Sequence, residues 1–121
     1  MSVYFQPNMT LLQAVYSRDP QNVQQALASG RVADDWVLKK AFKRAEFLPP
    51  VCRALVASHP GIPNDRSLRR AIKYQPDEVI IDLLLKGSRL RARQGMPLFS
   101  NPVSENVRQV YERMTNPIPK A

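Results

Sequence analysis

The chain contains 121 residues, with 18 Lys and Arg residues against 10 Asp and Glu residues and a formal net charge of +8. This length fits one domain, the single cysteine excludes an intrachain disulfide and fits a reducing compartment, and no apolar run is long enough to span a membrane. Because the first residues also lack the charged and apolar regions of a secretory signal, we expect a cytoplasmic protein. The excess of basic residues is the compositional feature most relevant to its partners.

The chain divides into helical units between two short tails. Its predicted parts are a tail of residues 1–9, three units within residues 10–95, a degenerate fourth unit or C-terminal cap at residues 96–115, and a tail of residues 116–121. In the first two units the second helix opens at Pro20 and Pro49, because proline lacks an N–H group that the first helical turn leaves unused. Asp34 and Asp35 begin the second unit. Adjacent carboxylates on a helix do not face each other, so we interpret these two as helix caps rather than as a catalytic pair.

The third unit has the clearest helical pattern. Asp65 is a suitable N-cap, and an apolar stripe with the i, i+3, i+4 spacing of a helix starts at Leu68. Pro76 then opens a second helix that is apolar almost all the way round, which predicts burial on more than one side. We therefore expect Leu83 and Leu84 to lie in the central core.

A basic connector and a last helix follow the third unit. The connector could form a strand-like finger or an extended loop, and it carries a secondary basic loop made of Arg89, Arg91 and Arg93. The last helix is predicted to open at Asn101-Pro102, and its apolar residues fall on one face. A one-faced helix at the end of a stack is typical of a terminal cap.

A six-residue pattern recurs along the chain. Leu-Lys-Lys-Ala-Phe-Lys at residues 38–43 matches Leu-Arg-Arg-Ala-Ile-Lys at residues 68–73, thirty positions later, and residues 11–16 are an earlier copy. Each copy is followed by a helix that a proline opens. Helix–turn–helix units that repeat about every 20–50 residues are typical of solenoids. The sequence therefore predicts an all-α fold, a short solenoid of three to four stacked helix–turn–helix repeats.

The copies resemble the ankyrin repeat in their Leu-x-x-Ala portions, such as Leu68-x-x-Ala71, and in Leu83-Leu84-x-x-Gly87. The resemblance covers residues 10–115 and implies a stack of helix pairs that binds proteins, with the first helices lining a concave surface. The chain lacks the motif Thr-Pro-Leu-His, and its spacings of 27 and 30 residues are shorter than the family's usual spacing of about 33. These differences favour short loops in place of β-hairpin fingers, and other helical-hairpin solenoids remain an alternative.

Catalytic and metal-binding residues are scarce. Cys52 and His59 are the only residues of their types, and they lie about a helix length, roughly 10 Å, apart. We interpret Cys52 as a small buried hydrophobe and His59 as a residue that favours a helix end. Two such ligands do not make a zinc site, and the four glycines are too dispersed for a phosphate-binding loop. We expect no enzymatic activity, no metal and no cofactor.

The first helices of the second and third units share a basic face. At 100° per residue, the cations of each helix fall opposite its apolar stripe. A charged helix face is commonly just solvated, but such a face normally mixes signs, and like charges on one face repel each other. Arginine and aromatic residues are also enriched at binding hot spots, and Phe47 would join them if its helix extended that far. The predicted partner-binding residues are Tyr16, Trp36, Lys39, Lys40, Lys43, Arg66, Arg69, Arg70 and Lys73.

Two classes of function follow from this face. The first is a protein-interaction module that binds an acidic segment of a partner protein. The second is nucleic-acid binding through phosphate contacts, to which the arginines of the basic loop could contribute, although no recognised nucleic-acid motif is present. Attachment to anionic lipid is a weaker third class. The resemblance also leaves open a bacterial effector that is secreted into host cells.

Overall fold

The computed structural model describes residues 8–99 and 101–115. These residues form seven α-helices and no strand, which confirms the all-α prediction, and none of the seven is long and apolar enough to cross a membrane. Of the predicted tails at residues 1–9 and 116–121, residues 1–7 and 116–121 lie outside the described ranges, while Met9 is buried in the core. The helices are α1 (Leu11–Tyr16), α2 (Pro20–Ala28), α3 (Asp35–Phe42), α4 (Pro49–Ser58), α5 (Asp65–Tyr74), α6 (Asp77–Leu85) and α7 (Glu105–Thr115).

The helices pack in two rows. In the first row α3 contacts both α1 and α5, and in the second row α4 contacts α2 and α6, which in turn contacts α7. Each first-row helix also packs against the second-row helix that follows it in the chain. The second-row helices start at residues 20, 49, 77 and 105, so 28 or 29 residues separate consecutive starts. This regular packing is compatible with a helical repeat fold.

Side-chain caps determine where the first-row helices begin. Asp34 caps α3 as predicted, because its Oδ1 atom accepts a hydrogen bond from the backbone N–H of Val37 at 2.8 Å. The prediction for α5 is wrong by one residue. Asn64 is its N-cap, accepting from the N–H of Ser67 at 2.9 Å. Asp65 is therefore the first helical residue, and its carboxylate is available for other contacts.

Two further helix boundaries differ from the sequence-based predictions. Helix α3 ends at Phe42, where Arg44 N–H closes a turn on the carbonyl of Ala41, so Phe47 lies off the helix and is buried in the core. Helix α7 begins at Glu105 rather than at Pro102, and Ser104 Oγ accepts from the N–H of Val107 at 3.1 Å. Residues 96–99 form no helix, so the predicted fourth unit contributes α7 alone.

The core lies between the two rows. Leu83 and Leu84 are buried with 0% and 1% of their surface exposed, as predicted for the centre of the molecule. The neighbouring Leu85 is 62% exposed, so α6 packs against α4, α5 and α7 but keeps one face, which includes Leu85, open to solvent. The largest fully buried side chains are Phe42, Leu38, Leu55, Leu68, Leu83, Leu84, Val15, Val23, Val56, Val79, Val107 and Pro63.

Two equivalent aspartates hold α3 and α5, each to the chain that follows it. Asp35 and Asp65 are the first residues of α3 and α5. Asp35 Oδ1 accepts from the N–H of Asn64 at 2.9 Å, and Asp65 Oδ1 accepts from the N–H of Arg91 at 2.7 Å. Because Arg69 Nη2 also donates to the carbonyl of Arg91 at 2.7 Å, the extended segment at residues 88–99 lies beside α5. It takes the place in the first row that a further helix would have.

Candidate functional site

The neighbouring helices α3 and α5 present the cations that the sequence analysis singled out. Their apolar residues face the core: Leu38 and Leu68 have no exposed surface. The cations therefore lie on the opposite side of both helices. All of these cations are half-buried or exposed. They are Lys39, Lys40 and Lys43 on α3 or at its end, and Arg66, Arg69, Arg70 and Lys73 on α5.

A groove with a volume of about 500 Å³ lies on this side of the two helices. We call it the α3–α5 groove. Lys39 of α3 lines one part, Asn101 belongs to the segment before α7, and the remaining lining residues come from α5. The complete lining is Lys39, Arg66, Arg69, Arg70, Lys73 and Asn101. Five of these six side chains are cationic.

Arg69 differs from the other cations because its charge is already neutralised. Its Nε atom lies 3.0 Å from Asp65 Oδ1 and 3.1 Å from Oδ2, and 17% and 16% of the two side chains is exposed. Its Nη2 atom donates to the carbonyl of Arg91, and Nη1 donates to the carbonyl of Leu98 at 3.5 Å. Arg69 therefore ties segment 88–99 to α5 and forms a fixed wall of the groove.

Six cations remain without a carboxylate partner. They are Lys39, Lys40, Lys43, Arg66, Arg70 and Lys73, which we call the basic face. Across residues 8–99 and 101–115, none of the six forms an ion pair. The pKa of Lys39 is lowered by desolvation and then by repulsion from Arg66, Arg70, Lys40 and Lys43. The positive charges of α3 and α5 thus act on one another across the groove.

Aromatic rings lie among these cations. Trp36 is half exposed, and the Nζ atoms of Lys39 and Lys40 lie 5.0 Å and 4.7 Å from its ring centroid, within cation–π distance. At the end of α5, Lys73 Nζ lies 5.2 Å from the ring centroid of Tyr74. The ring of Trp36 thus lies beside the basic face, and Tyr74 adds a second ring that the sequence pattern did not identify.

Tyr16 lies at the end of α1, next to a cation that the sequence analysis overlooked. The guanidinium carbon of Arg44 is 5.9 Å from the Tyr16 ring centroid. Arg44 follows the end of α3, so helical periodicity could not assign it to a face. A second concavity, of about 240 Å³, runs past Lys43, Arg44 and Tyr74 at the C-terminal ends of α3 and α5. The charged surface therefore continues beyond the α3–α5 groove.

The three arginines of the predicted basic loop do not form one cluster. Arg89 donates to the carbonyl of Leu84 at 3.1 Å and to that of Met114 at 2.9 Å, so it joins the C-terminal ends of α6 and α7. Arg93 Nη2 lies 3.7 Å from Asp65 Oδ2, and Arg91 is exposed. Arg91 and Arg93 thus lie near α5, while Arg89 has a structural role elsewhere.

Cys52 and His59 make their polar contacts with other parts of the chain. Cys52 is fully buried, its Sγ atom lies 3.5 Å from the carbonyl oxygen of Phe47, and burial raises the pKa of its thiol to about 12. His59 Nδ1 accepts from the N–H of Gly61, and Nε2 lies 3.2 Å from Asp35 Oδ1. Because its pKa is raised, the Cys52 thiol is protonated at neutral pH and is a poor nucleophile. Nowhere in the described ranges do three His, Cys, Asp or Glu side chains group as a metal site would require.

No protein-family model, curated protein or solved structure matches this chain. Its function must therefore be argued from the chemistry of the basic face. What that face offers is a row of unneutralised cations on two packed helices, a groove lined by hydrogen-bond donors, and half-exposed aromatic rings at its edges.

Proposed function

We propose that this chain is a non-enzymatic interaction module that binds an acidic segment of a partner protein through its basic face. The observation that carries the proposal is the set of six cations on α3 and α5 without a carboxylate partner among the described residues. Like charges held on adjacent helices repel one another, and a bound anion relieves that repulsion. An acidic segment supplies the missing charge.

The proposed architecture is an ankyrin-repeat-like solenoid. Its support is the two-row packing of the helices together with the recurrence of the Leu-x-x-Ala pattern in α1, α3 and α5. In that architecture the first-row helices line the concave surface, which would place the basic face where such stacks bind proteins. A cytoplasmic adaptor is the biological role that this reading favours.

The size of the basic face suits a short extended peptide. On α5 the stripe from Arg66 to Lys73 spans eight residues, a rise of about 10 Å at 1.5 Å per residue, and neighbouring helices lie about 8–10 Å apart. An extended chain covers about 3.3 Å per residue. Three or four acidic residues would therefore cross the face, with Trp36 offering the aromatic contact that is common at hot spots.

Nucleic-acid binding is the second candidate. The observation that favours it is that Arg91, exposed on the segment beside α5, extends the cationic surface past the α3–α5 groove, with Arg93 next to it in ion-pair contact with Asp65. Against it, the sequence carries no recognised nucleic-acid motif. Log affinity for DNA or RNA that falls linearly and steeply with log salt would favour this candidate.

The test is binding of a fluorescein-labelled, glutamate-rich peptide, followed by fluorescence anisotropy. The variant R66E/R70E should bind about 30-fold more weakly or worse, because removing a desolvated charge partner costs about 2–5 kcal/mol. Both side chains point away from the core, so circular dichroism should show an unchanged fold.

The matched control is R108E/R113E, which changes the net charge equally but on α7. At physiological salt the screening length is about 8 Å, so the control should bind within about threefold of the parent. Equal losses in the two variants would mean that the peptide responds to net charge alone. An unaffected R66E/R70E would mean that the basic face is a solvated surface.

A further inference from the structure

The α3–α5 groove is lined almost entirely by hydrogen-bond donors. Lysine and arginine side chains donate and cannot accept, and the only side-chain acceptor in the lining is the amide oxygen of Asn101. Two backbone carbonyls lie at the wall of the groove, but those of Arg91 and Leu98 already accept hydrogen bonds from Arg69. A ligand that satisfies this lining must bring several acceptors and almost no donors.

The charge of the groove exceeds what one carboxylate can neutralise. Four lining cations, Lys39, Arg66, Arg70 and Lys73, have no ion-pair partner within the described ranges, while Arg69 is paired with Asp65. An aspartate or glutamate brings one negative charge and two oxygens. A phosphate monoester brings a charge of about −1.5 to −2 and three strong acceptor oxygens on one side chain.

The placement of the two arginines also fits a phosphate group. Arg66 and Arg70 are four residues apart on α5, so their side chains are neighbours on one face of the helix. A guanidinium group binds phosphate through two parallel N–H···O bonds. Lys39 lines the same groove from α3, opposite Arg66 and Arg70. Cationic side chains of both helices thus line the same groove.

We propose that the α3–α5 groove binds a phosphorylated side chain of the acidic partner segment, with Arg66 and Arg70 gripping the phosphate and Lys39 and Lys73 completing its neutralisation. This inference rests on the proposed function and names the group that the partner presents. The volume of about 500 Å³ lies within the usual range of ligand pockets, about 300–1,000 Å³. It accommodates one phosphorylated side chain together with its flanking backbone.

Three peptides of about twelve residues, long enough when extended to cross both helices, provide the test. They share an acidic sequence and carry phosphoserine, glutamate or serine at the central position. By isothermal titration calorimetry the phosphoserine peptide should bind about tenfold more tightly than the glutamate peptide, because phosphate brings more charge and a third acceptor oxygen, so that both arginines can pair with it at once. The serine peptide should bind most weakly.

The variant R66K/R70K separates the effect of bidentate hydrogen bonding from the effect of charge. Lysine keeps the positive charge but cannot form the two parallel hydrogen bonds of a guanidinium group. The variant should weaken binding of both acidic peptides, because carboxylate and phosphate both accept bidentate pairs from arginine. The loss should be larger for phosphoserine, whose three oxygens can engage both guanidinium groups, so the phosphoserine advantage should fall to about twofold or less. The matched control R108K/R113K on α7 should retain the full advantage.

An equal affinity of the parent for the phosphoserine and glutamate peptides would overturn the inference and leave the proposed function in place. The inference would also be overturned if R66K/R70K kept the full affinity advantage of the phosphoserine peptide over the glutamate peptide. Failure of all three peptides to bind would overturn both. A single-stranded thymidine oligonucleotide that bound more tightly than the phosphoserine peptide would instead assign the groove to nucleic-acid phosphates.

Discussion

At the scale of single residues, the carboxylates that begin α3 and α5 show how one position serves two purposes. Asp35 accepts hydrogen bonds from Asn64 and lies against His59, so it holds the loop that leads into α5. Asp65 occupies the equivalent position thirty residues later, where it neutralises Arg69 and receives the N–H of Arg91. By fixing Arg69, Asp65 shapes the wall of the α3–α5 groove without contributing to the basic face.

The first prediction at this scale concerns Asp65. Replacing it with alanine leaves Arg69 Nε and the Arg91 N–H without their acceptor, and such losses cost about 1–3 kcal/mol. The control is Glu78→Ala, which also removes an acidic residue from the first turn of a helix and costs only the helix-dipole contribution of about 0.3–1 kcal/mol. Urea unfolding of the two variants measures the difference. Equal stabilities would show that Asp65 acts only through the dipole of α5.

At the scale of helices, the apolar pattern predicted burial well where neighbours pack on both sides. It identified Leu83 and Leu84, which lie in the core. Of the two aspartates interpreted as caps, Asp34 caps α3 and Asp35 is the first helical residue. The pattern did not locate the end of α3 or the start of α7, because a turn after Phe42 and the hydroxyl of Ser104 decide those boundaries. Such local hydrogen bonds compete with helical periodicity and do not appear in it.

Helix α6 gives the prediction at this scale, because three consecutive leucines differ in burial. Leu83→Ala and Leu84→Ala should each cost about 2–5 kcal/mol, since each leaves a cavity in a packed core. Leu85→Ala should cost about 0.5 kcal/mol or less, since that side chain is 62% exposed. Thermal or urea unfolding measures all three. A Leu85 variant as unstable as the other two would show that its side chain is covered in solution.

At the scale of the whole molecule, the basic face depends on the packing of α3 against α5. The repeat of the sequence pattern predicted which residues share a face, and six of the predicted cations meet without a carboxylate partner in the parts of the chain that the structure describes. The pattern could not predict that Arg69 is neutralised. Its partners include the carbonyl of Arg91, twenty-two residues further along the chain, and contacts at that distance depend on tertiary structure. The dispersal of Arg89 from Arg91 and Arg93 has the same cause, because Arg89 is held by the end of α7.

The central claim is that the basic face is the surface that captures an acidic segment. Titration of the isotope-labelled protein with a glutamate-rich peptide, followed through its backbone amide resonances, tests this directly because every position on the chain reports separately. If the peptide binds at the basic face, the chemical-shift changes should saturate and should be largest at residues 36–43 and 66–74, with little change in α2 and α7. Shifts centred on the second-row helices, or no saturable shift at all, would contradict it.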